Sequence, residues 1–181
     1  MGKYLDFQYM QNGFFRVAAV TVPVALANPA ENIRNIAGAA SGLSSRGVRL
    51  ALFPELSVTG YTCGDLFHNS TLLDETESAL HALADMSASF PSTAIVVGAP
   101  LRHGCKLLNC AVTIAGGSIL AVVPKTYIPN YNEFYEKRWF DSGIGENGTL
   151  LGAPMSAGML LDFGMGIKAG IEICEDLWTP I

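Results

Sequence analysis

The sequence lacks long apolar runs and an excess of positive charge. Although half of its 181 residues are hydrophobic, no uninterrupted apolar stretch reaches the ~18 residues typical of a membrane-spanning helix. The 16 acidic residues outnumber the 11 lysines and arginines, which gives a net charge of −5. These absences argue against a membrane protein and against a nucleic-acid partner. Residues 1–6 carry an acid and no apolar stretch, so they do not predict a secretory signal.

Paired metal ligands are lacking as well. The cysteines form no C-x-x-C pair and the histidines are scattered, at Cys63, Cys105, Cys110 and Cys174 and at His68, His81 and His103. A zinc site requires closer spacing, so we expect no metal. Unpaired cysteines favour a reducing compartment and predict a cytoplasmic protein. The G-x-G-x-x-G word at 143–148 neither follows a predicted strand nor opens a helix, so it does not indicate a dinucleotide site.

Hydrophobic periodicity predicts one α/β domain over residues 1–181. A helix should begin after the N-cap Asn28 and end near Gly47. A second helix should cover residues 71–90, with one face formed by Leu73, Thr76, Leu80, Leu83 and Ser87. Single strands are predicted at 15–22, 48–53 and 93–98, and hairpins at 108–123 and 160–173. Helices alternate with strands first, and strands pair later. This order indicates a mixed sheet covered by helices.

Three residues capable of chemistry follow predicted strands: Glu55, Lys125 and Cys174. A cysteine held at a strand end can act as a nucleophile. Its thiol has a pKa of roughly 8.5, so a base such as Glu55 must take its proton. Lys125 could stabilise the negative charge that then develops. Spacing alone leaves a simpler alternative open, in which Cys174 is a small buried hydrophobic residue and the two charges are solvated.

The words around these three residues carry a resemblance. They are FPELSVTGY at 53–61, PKTYIPNYNEFYEKR at 124–138 and EICEDLW at 172–178. Together they resemble the nitrilase, or carbon–nitrogen hydrolase, superfamily, and within it the glutaminase domains of the glutamine-dependent NAD+ synthetases. The resemblance implies an αββα sandwich with mixed β-sheets. The 181 residues would form an incomplete N-terminal portion of it, with an apolar face left uncovered and with the synthetase domain absent.

The resemblance also implies a role for each site residue. Cys174 would be the nucleophile, Glu55 the general base and acid, and Lys125 an oxyanion donor together with the backbone N–H of Glu175. A second glutamate orients the lysine in this family, and Glu133 is the candidate that we favour, with Glu136 as a nearby competitor. Pocket residues that would hold the substrate are Tyr61, Phe134 and Glu175, with Tyr131 and Tyr127 as weaker candidates.

The reaction implied is hydrolysis of the glutamine amide through a cysteine thioester. The released ammonia would serve the ATP-dependent amidation of deamido-NAD+ to NAD+. The glutaminase step would need no cofactor, whereas ATP and Mg²⁺ would be used by the synthetase domain. The implied partners are L-glutamine, that synthetase domain and further copies of the chain in a homo-oligomer. Two alternatives stay open: a stand-alone amidase for another small amide, and a catalytically inert module.

Overall fold

The fold is described by a computed structural model that covers residues 14–179; the predictions for residues 1–6 lie outside that range. Its strands are β1 (Val17–Ala19), β2 (Leu50–Leu52), β3 (Ala94–His103), β4 (Lys106–Ala115), β5 (Ser118–Pro124), β6 (Asn147–Leu150), β7 (Ala153–Ser156), β8 (Leu160–Asp162) and β9 (Lys168–Gly170). The first seven form one mixed sheet in the order β1-β2-β3-β4-β5-β7-β6. Strands β1 to β3 are parallel, and β3 to β5 are antiparallel.

Two helices, α1 (Pro29–Ser44) and α2 (Ser70–Ser87), contribute to the main hydrophobic core, which they share with strands of the large sheet. The side chain of Asn28 accepts a hydrogen bond from the backbone N–H of Glu31, which caps α1 as predicted. On α2 the predicted face is buried in full and forms a buried stripe: Leu73, Thr76, Leu80, Leu83 and Ser87. Each helix thus buries one face against this core.

The opposite face carries the two-stranded sheet β8–β9. This hairpin and the segments flanking it pack against alternate residues of the long strands, including Val96, Ala111 and Val123. The cover is partial, since Val17 and Leu52 on β1 and β2 are 59% and 49% exposed. A mixed sheet with helices on one face and strands on the other is the α/β arrangement that the sequence predicts.

Two features of the sheet differ from the sequence prediction. Strands β6 and β7 lie between the two predicted hairpins, where the sequence predicts no strand. The last strand was expected to continue to Ile173 and to end at Cys174, but pairing stops at Gly170 and Cys174 begins a 3-10 helix, Cys174–Leu177. Within residues 14–179, no helix combines the length and the apolar character needed to cross a membrane.

Candidate active site

Lys125 lies at the centre of a buried ionic network. It follows β5 directly, and its side chain is 0% exposed. Its ammonium nitrogen Nζ lies 2.7 Å from Glu55 Oε1 and 2.8 Å from Glu136 Oε2. Burial lowers the pKa of the Lys125 ammonium, but the two carboxylates more than offset this, so its pKa is above the ordinary value. The lysine therefore stays charged at neutral pH.

Glu55 is held by the strands behind it. It lies three residues beyond β2, and the next residue, Leu56, has a left-handed backbone with φ of 53°. The side-chain amide of Asn109, on β4, donates to the same Glu55 oxygen that Lys125 contacts. Because Oε1 already accepts two hydrogen bonds, Oε2 is the Glu55 oxygen that can take a proton from another group.

Gly98 on β3 permits this placement of Glu55. A Cβ at Gly98 would lie 2.1 Å from the Leu56 backbone nitrogen and 2.7 Å from the Glu55 carbonyl carbon. Both contacts are with backbone, which cannot rotate away. Glycine is therefore required where the Glu55 segment crosses the strand.

We expect Gly98→Ala to displace Glu55 and to lower the free energy of unfolding by about 1–3 kcal/mol. Urea unfolding measures the stability loss. Gly38→Ala is the matched control, because a Cβ at Gly38 on α1 would meet nothing within 4 Å and alanine is the better helix former. A Gly98→Ala chain as stable as the Gly38→Ala chain would contradict this account.

Glu136 is the second carboxylate on Lys125. We favoured Glu133 for this position, and that placement is wrong: Glu133 is exposed, whereas Glu136 is 2% exposed and contacts the ammonium. Glu136 begins the 3-10 helix Glu136–Arg138. Arg138 donates from Nε and Nη2 to the two carboxylate oxygens of Asp65, at 2.7 and 2.9 Å. This bidentate pair ties the Glu136 segment to the 3-10 helix Gly64–His68.

Tyr61, predicted as a pocket residue, joins the network from the other side. Its hydroxyl donates to Glu136 Oε1 at 2.6 Å. Burial and this hydrogen bond raise the pKa of the Tyr61 phenol far above its ordinary value, so the hydroxyl keeps its proton and remains a donor. Both oxygens of Glu136 are thus engaged, one by Tyr61 and the other by Lys125.

Cys174 stands at a strained turn beside the network. Its φ of 51° is left-handed, which costs a residue other than glycine about 1–2 kcal/mol. Such strain is concentrated at functional sites. Cys174 and Glu55 both line a cavity of about 210 Å³ between the large sheet and the 171–174 segment.

Groups of both charge signs shift the pKa of the Cys174 thiol. Desolvation raises its pKa, the Lys125 ammonium lowers it, and the carboxylates of Glu55, Glu136 and Glu175 raise it again. The net effect is a pKa above the usual value. The thiol is therefore protonated at neutral pH, and a nearby base is needed to generate the thiolate.

Three predicted pocket residues lie together beyond this turn. The Tyr131 hydroxyl donates to Glu175 Oε2 at 2.7 Å, and this bond raises the pKa of the Tyr131 phenol. The Tyr131 and Phe134 rings meet edge to face with centroids 5.9 Å apart. Tyr131 and Glu175, with Tyr127, also line a second and larger cavity of about 610 Å³. The structure thus brings Tyr131, Phe134 and Glu175 together, and Glu175 directly follows Cys174.

Sequence reasoning missed Asn109 and Asp176. Asn109 is a polar residue inside the apolar strand β4, and such an interruption could have marked it. Asp176 directly follows the Cys–Glu pair but was assigned no role. Among residues 14–179, no cluster of three or more Cys, His, Asp or Glu could hold a metal ion.

The family of the chain follows from comparison with known proteins. The sequence profile described as carbon-nitrogen hydrolase matches residues 16–181. The chain therefore belongs to the carbon–nitrogen hydrolase family. More particularly, it is similar to glutamine-dependent NAD(+) synthetases: the Mycobacterium tuberculosis protein is 42% identical over 177 residues, which is 94% of this chain and 26% of that protein. The chain spans about a quarter of the length of the curated relatives it matches.

Solved structures agree with this assignment. A glutamine-dependent NAD(+) synthetase from Cytophaga hutchinsonii matches 90% of this chain and 28% of its own, with a TM-score of 0.80 and 25% identity. An amidase from Nesterenkonia matches 75% of this chain and 51% of its own, with a TM-score of 0.60; at 24% identity it shows the fold alone. The predicted nitrilase-type α/β fold is confirmed.

Proposed function

We propose that this chain carries the glutaminase site of a glutamine-dependent NAD+ synthetase. The observation that carries the proposal is the buried Lys125 ammonium between Glu55 and Glu136, with Cys174 on a strained turn beside it. A fixed cation next to a thiol and a carboxylate suits nucleophilic attack on an amide. The names of the relatives support glutamine as the substrate.

The cycle that we propose begins with Glu55 accepting the thiol proton. The Cys174 sulfur attacks the carbon of the glutamine side-chain amide, and Lys125 and the Glu175 backbone N–H stabilise the oxyanion. When the carbon–nitrogen bond breaks, Glu55 returns its proton to the leaving nitrogen, which departs as ammonia. A γ-glutamyl thioester remains. Glu55 then takes a proton from water, and the hydroxide attacks the thioester carbon. The carbon–sulfur bond breaks, Glu55 returns the proton to the Cys174 sulfur, and glutamate leaves.

Roles in the pocket follow from charge. Glutamine carries an α-ammonium group, and the Glu175 carboxylate beside the nucleophile could pair with it. Tyr131 and Phe134 would pack along the aliphatic part of the substrate. The Tyr61 hydroxyl is engaged by Glu136, so we assign it to the ionic network in addition to the predicted pocket.

The remaining proposals concern the whole protein. Residues 1–181 would form part of a single glutaminase domain, and a synthetase domain would consume the ammonia to amidate deamido-NAD+ with ATP and Mg²⁺. Assembly into a homo-oligomer and a cytoplasmic location remain predictions. They rest on the resemblance and on the unpaired cysteines.

Labelling with the glutamine analogue 6-diazo-5-oxo-norleucine tests the proposed site. The diazo carbon takes up the proton that the thiol has given up, the thiolate displaces dinitrogen from that carbon, and the stable thioether that forms is detected by intact-mass spectrometry. We expect one adduct on the 181-residue chain or on the complete product of its gene, and none on the Cys174→Ala variant of either. An adduct only on the complete product would show that further residues complete the pocket.

The matched control is Cys105→Ser. Among the four cysteines, Cys105 and Cys174 are exposed, whereas Cys63 and Cys110 are buried. Labelling should survive in Cys105→Ser. Labelling of Cys105 in place of Cys174, or no labelling of either form of the protein, would contradict a glutaminase and favour an amidase for another substrate or an inert module.

A further inference from the structure

The Asp176 carboxylate links two segments of the candidate site. Its Oδ1 accepts hydrogen bonds from the backbone N–H groups of Thr126 and Tyr127, at 3.0 and 2.8 Å, and from the Thr126 hydroxyl, at 2.6 Å. Its Oδ2 accepts from the backbone N–H of Ile173 at 3.2 Å. One side chain therefore connects the residue before Cys174 with the two residues after Lys125.

The two linked segments differ in how firmly they are held. Lys125 is buried, and its ammonium contacts two carboxylates, so the backbone that continues to Thr126 and Tyr127 starts from a fixed point. Cys174 lies in a short turn with a left-handed backbone, closed by one bond from the Asp176 N–H to the Ile173 carbonyl. Ile173 packs against the sheet on one side of Cys174, and Asp176 anchors the other side.

We propose that Asp176 is a positioning residue, which holds the Cys174 turn against the Lys125 segment and so sets the distance between the thiol and the ammonium. This inference rests on the proposed function of Cys174 as the nucleophile. Asp176 would act through the turn and would not touch the substrate. Both carboxylate oxygens are needed, because one serves the Lys125 side and the other serves the Cys174 side.

The Asp176→Asn variant tests whether each carboxylate oxygen is needed to hold its own segment. Asparagine keeps the shape but has one acceptor oxygen, so its NH₂ group must face the N–H donors of one segment. The link to that segment is then lost. The measurements are made in a Cys105→Ser background, so that Cys174 is the exposed thiol that reacts. They use the 181-residue chain and the complete product of its gene.

Two probes separate positioning from folding. Iodoacetamide needs only an accessible thiolate, whereas 6-diazo-5-oxo-norleucine also needs the assembled site. For Asp176→Asn we expect the diazo compound to react at least about 10-fold more slowly. The plateau rate of iodoacetamide at high pH should be unchanged. The pH midpoint of alkylation should rise by about one unit, because Lys125 no longer favours the thiolate as strongly; Glu55, Glu136 and Glu175 disfavour it in both proteins.

Control variants keep the test decisive. Asp85→Asn makes the same chemical change on an exposed side chain of α2, and it should leave both rates and the midpoint unchanged. Asp176→Glu retains two acceptor oxygens and should recover part of the diazo rate. If circular dichroism shows Asp176→Asn to be unfolded, Thr126→Val removes a single donor, and a two- to five-fold loss is expected.

Other outcomes overturn the inference. A folded Asp176→Asn chain with wild-type rates and a wild-type midpoint would contradict it. If Asp176→Asn is unfolded, a Thr126→Val chain that reacts with the diazo compound at the wild-type rate would contradict it. An equal loss of the diazo rate in Asp85→Asn would show that the loss of one negative charge, and not the link made by Asp176, is responsible. If the diazo compound fails to label the wild type while the iodoacetamide midpoint still shifts in Asp176→Asn, the proposed function fails and the positioning role stands.

Discussion

Glu136→Gln is expected to slow the labelling of Cys174 by 6-diazo-5-oxo-norleucine about 100-fold. The Glu136 carboxylate accepts from Lys125 at one oxygen and from Tyr61 at the other. Glutamine has one acceptor oxygen, so either the ammonium or the phenol loses its partner. A lysine with one carboxylate in place of two is free to move toward Glu55 and away from the developing oxyanion. The labelling rate, measured at several concentrations of the reagent, separates weaker binding from slower chemistry.

Stability should fall in the same variant. Hydrogen bonds that involve a charged group contribute more than neutral ones, and we expect the free energy of unfolding to drop by about 2 kcal/mol. Urea unfolding measures this loss.

Glu133→Gln is the matched control, since it makes the same chemical change three residues away on an exposed side chain. Its stability should stay within about 0.5 kcal/mol of wild type, and its labelling rate should be unchanged. If Glu133→Gln slowed labelling as much as Glu136→Gln, the placement of the second carboxylate at Glu136 would be wrong.

Local sequence signals predict the helical layer well. The N-cap of α1 and the buried stripe of α2 depend on residues within a few positions of one another, and the structure reproduces both. The hairpin formed by β4 and β5 was also predicted, because two apolar runs flank the Gly116–Gly117 turn. Glu55 and Lys125 could be brought together because each follows a strand of the same sheet.

Contacts between residues far apart in the sequence determine the features that could not be predicted from it. The choice between Glu133 and Glu136 depends on the path of the 126–142 segment. Along that path Asn132 has a left-handed backbone, and Arg138 pairs with the distant Asp65. The apolar residues up to Ile173 suggest a continuing strand, yet they pack on the sheet after pairing has stopped at Gly170. The turn at Cys174 follows from bonds to residues almost 50 positions earlier.

Lys125→Met is expected to be the most damaging single substitution in the chain. Methionine matches the length of lysine, so the side-chain volume is nearly kept. It leaves the carboxylates of Glu55 and Glu136 close together with no cation between them. Removing one partner of a buried ionic network typically destabilises a protein by about 3–5 kcal/mol. Labelling by the diazo compound should fall below detection, because the charge that would stabilise the oxyanion is gone.

The triple variant Lys125→Met, Glu55→Gln, Glu136→Gln separates the structural role of Lys125 from its chemical role. Neutralising both carboxylates removes the uncompensated charge, so we expect it to recover at least half of the stability that Lys125→Met loses. Labelling should not return, because neither the base nor the cation is restored. Urea unfolding of the wild type, Lys125→Met and the triple variant measures the structural role, and intact-mass labelling of the same three chains measures the chemical role. A Lys125→Met chain as stable as wild type would show that the buried charges are compensated elsewhere, and labelling at the wild-type rate would remove Lys125 from the proposed chemistry.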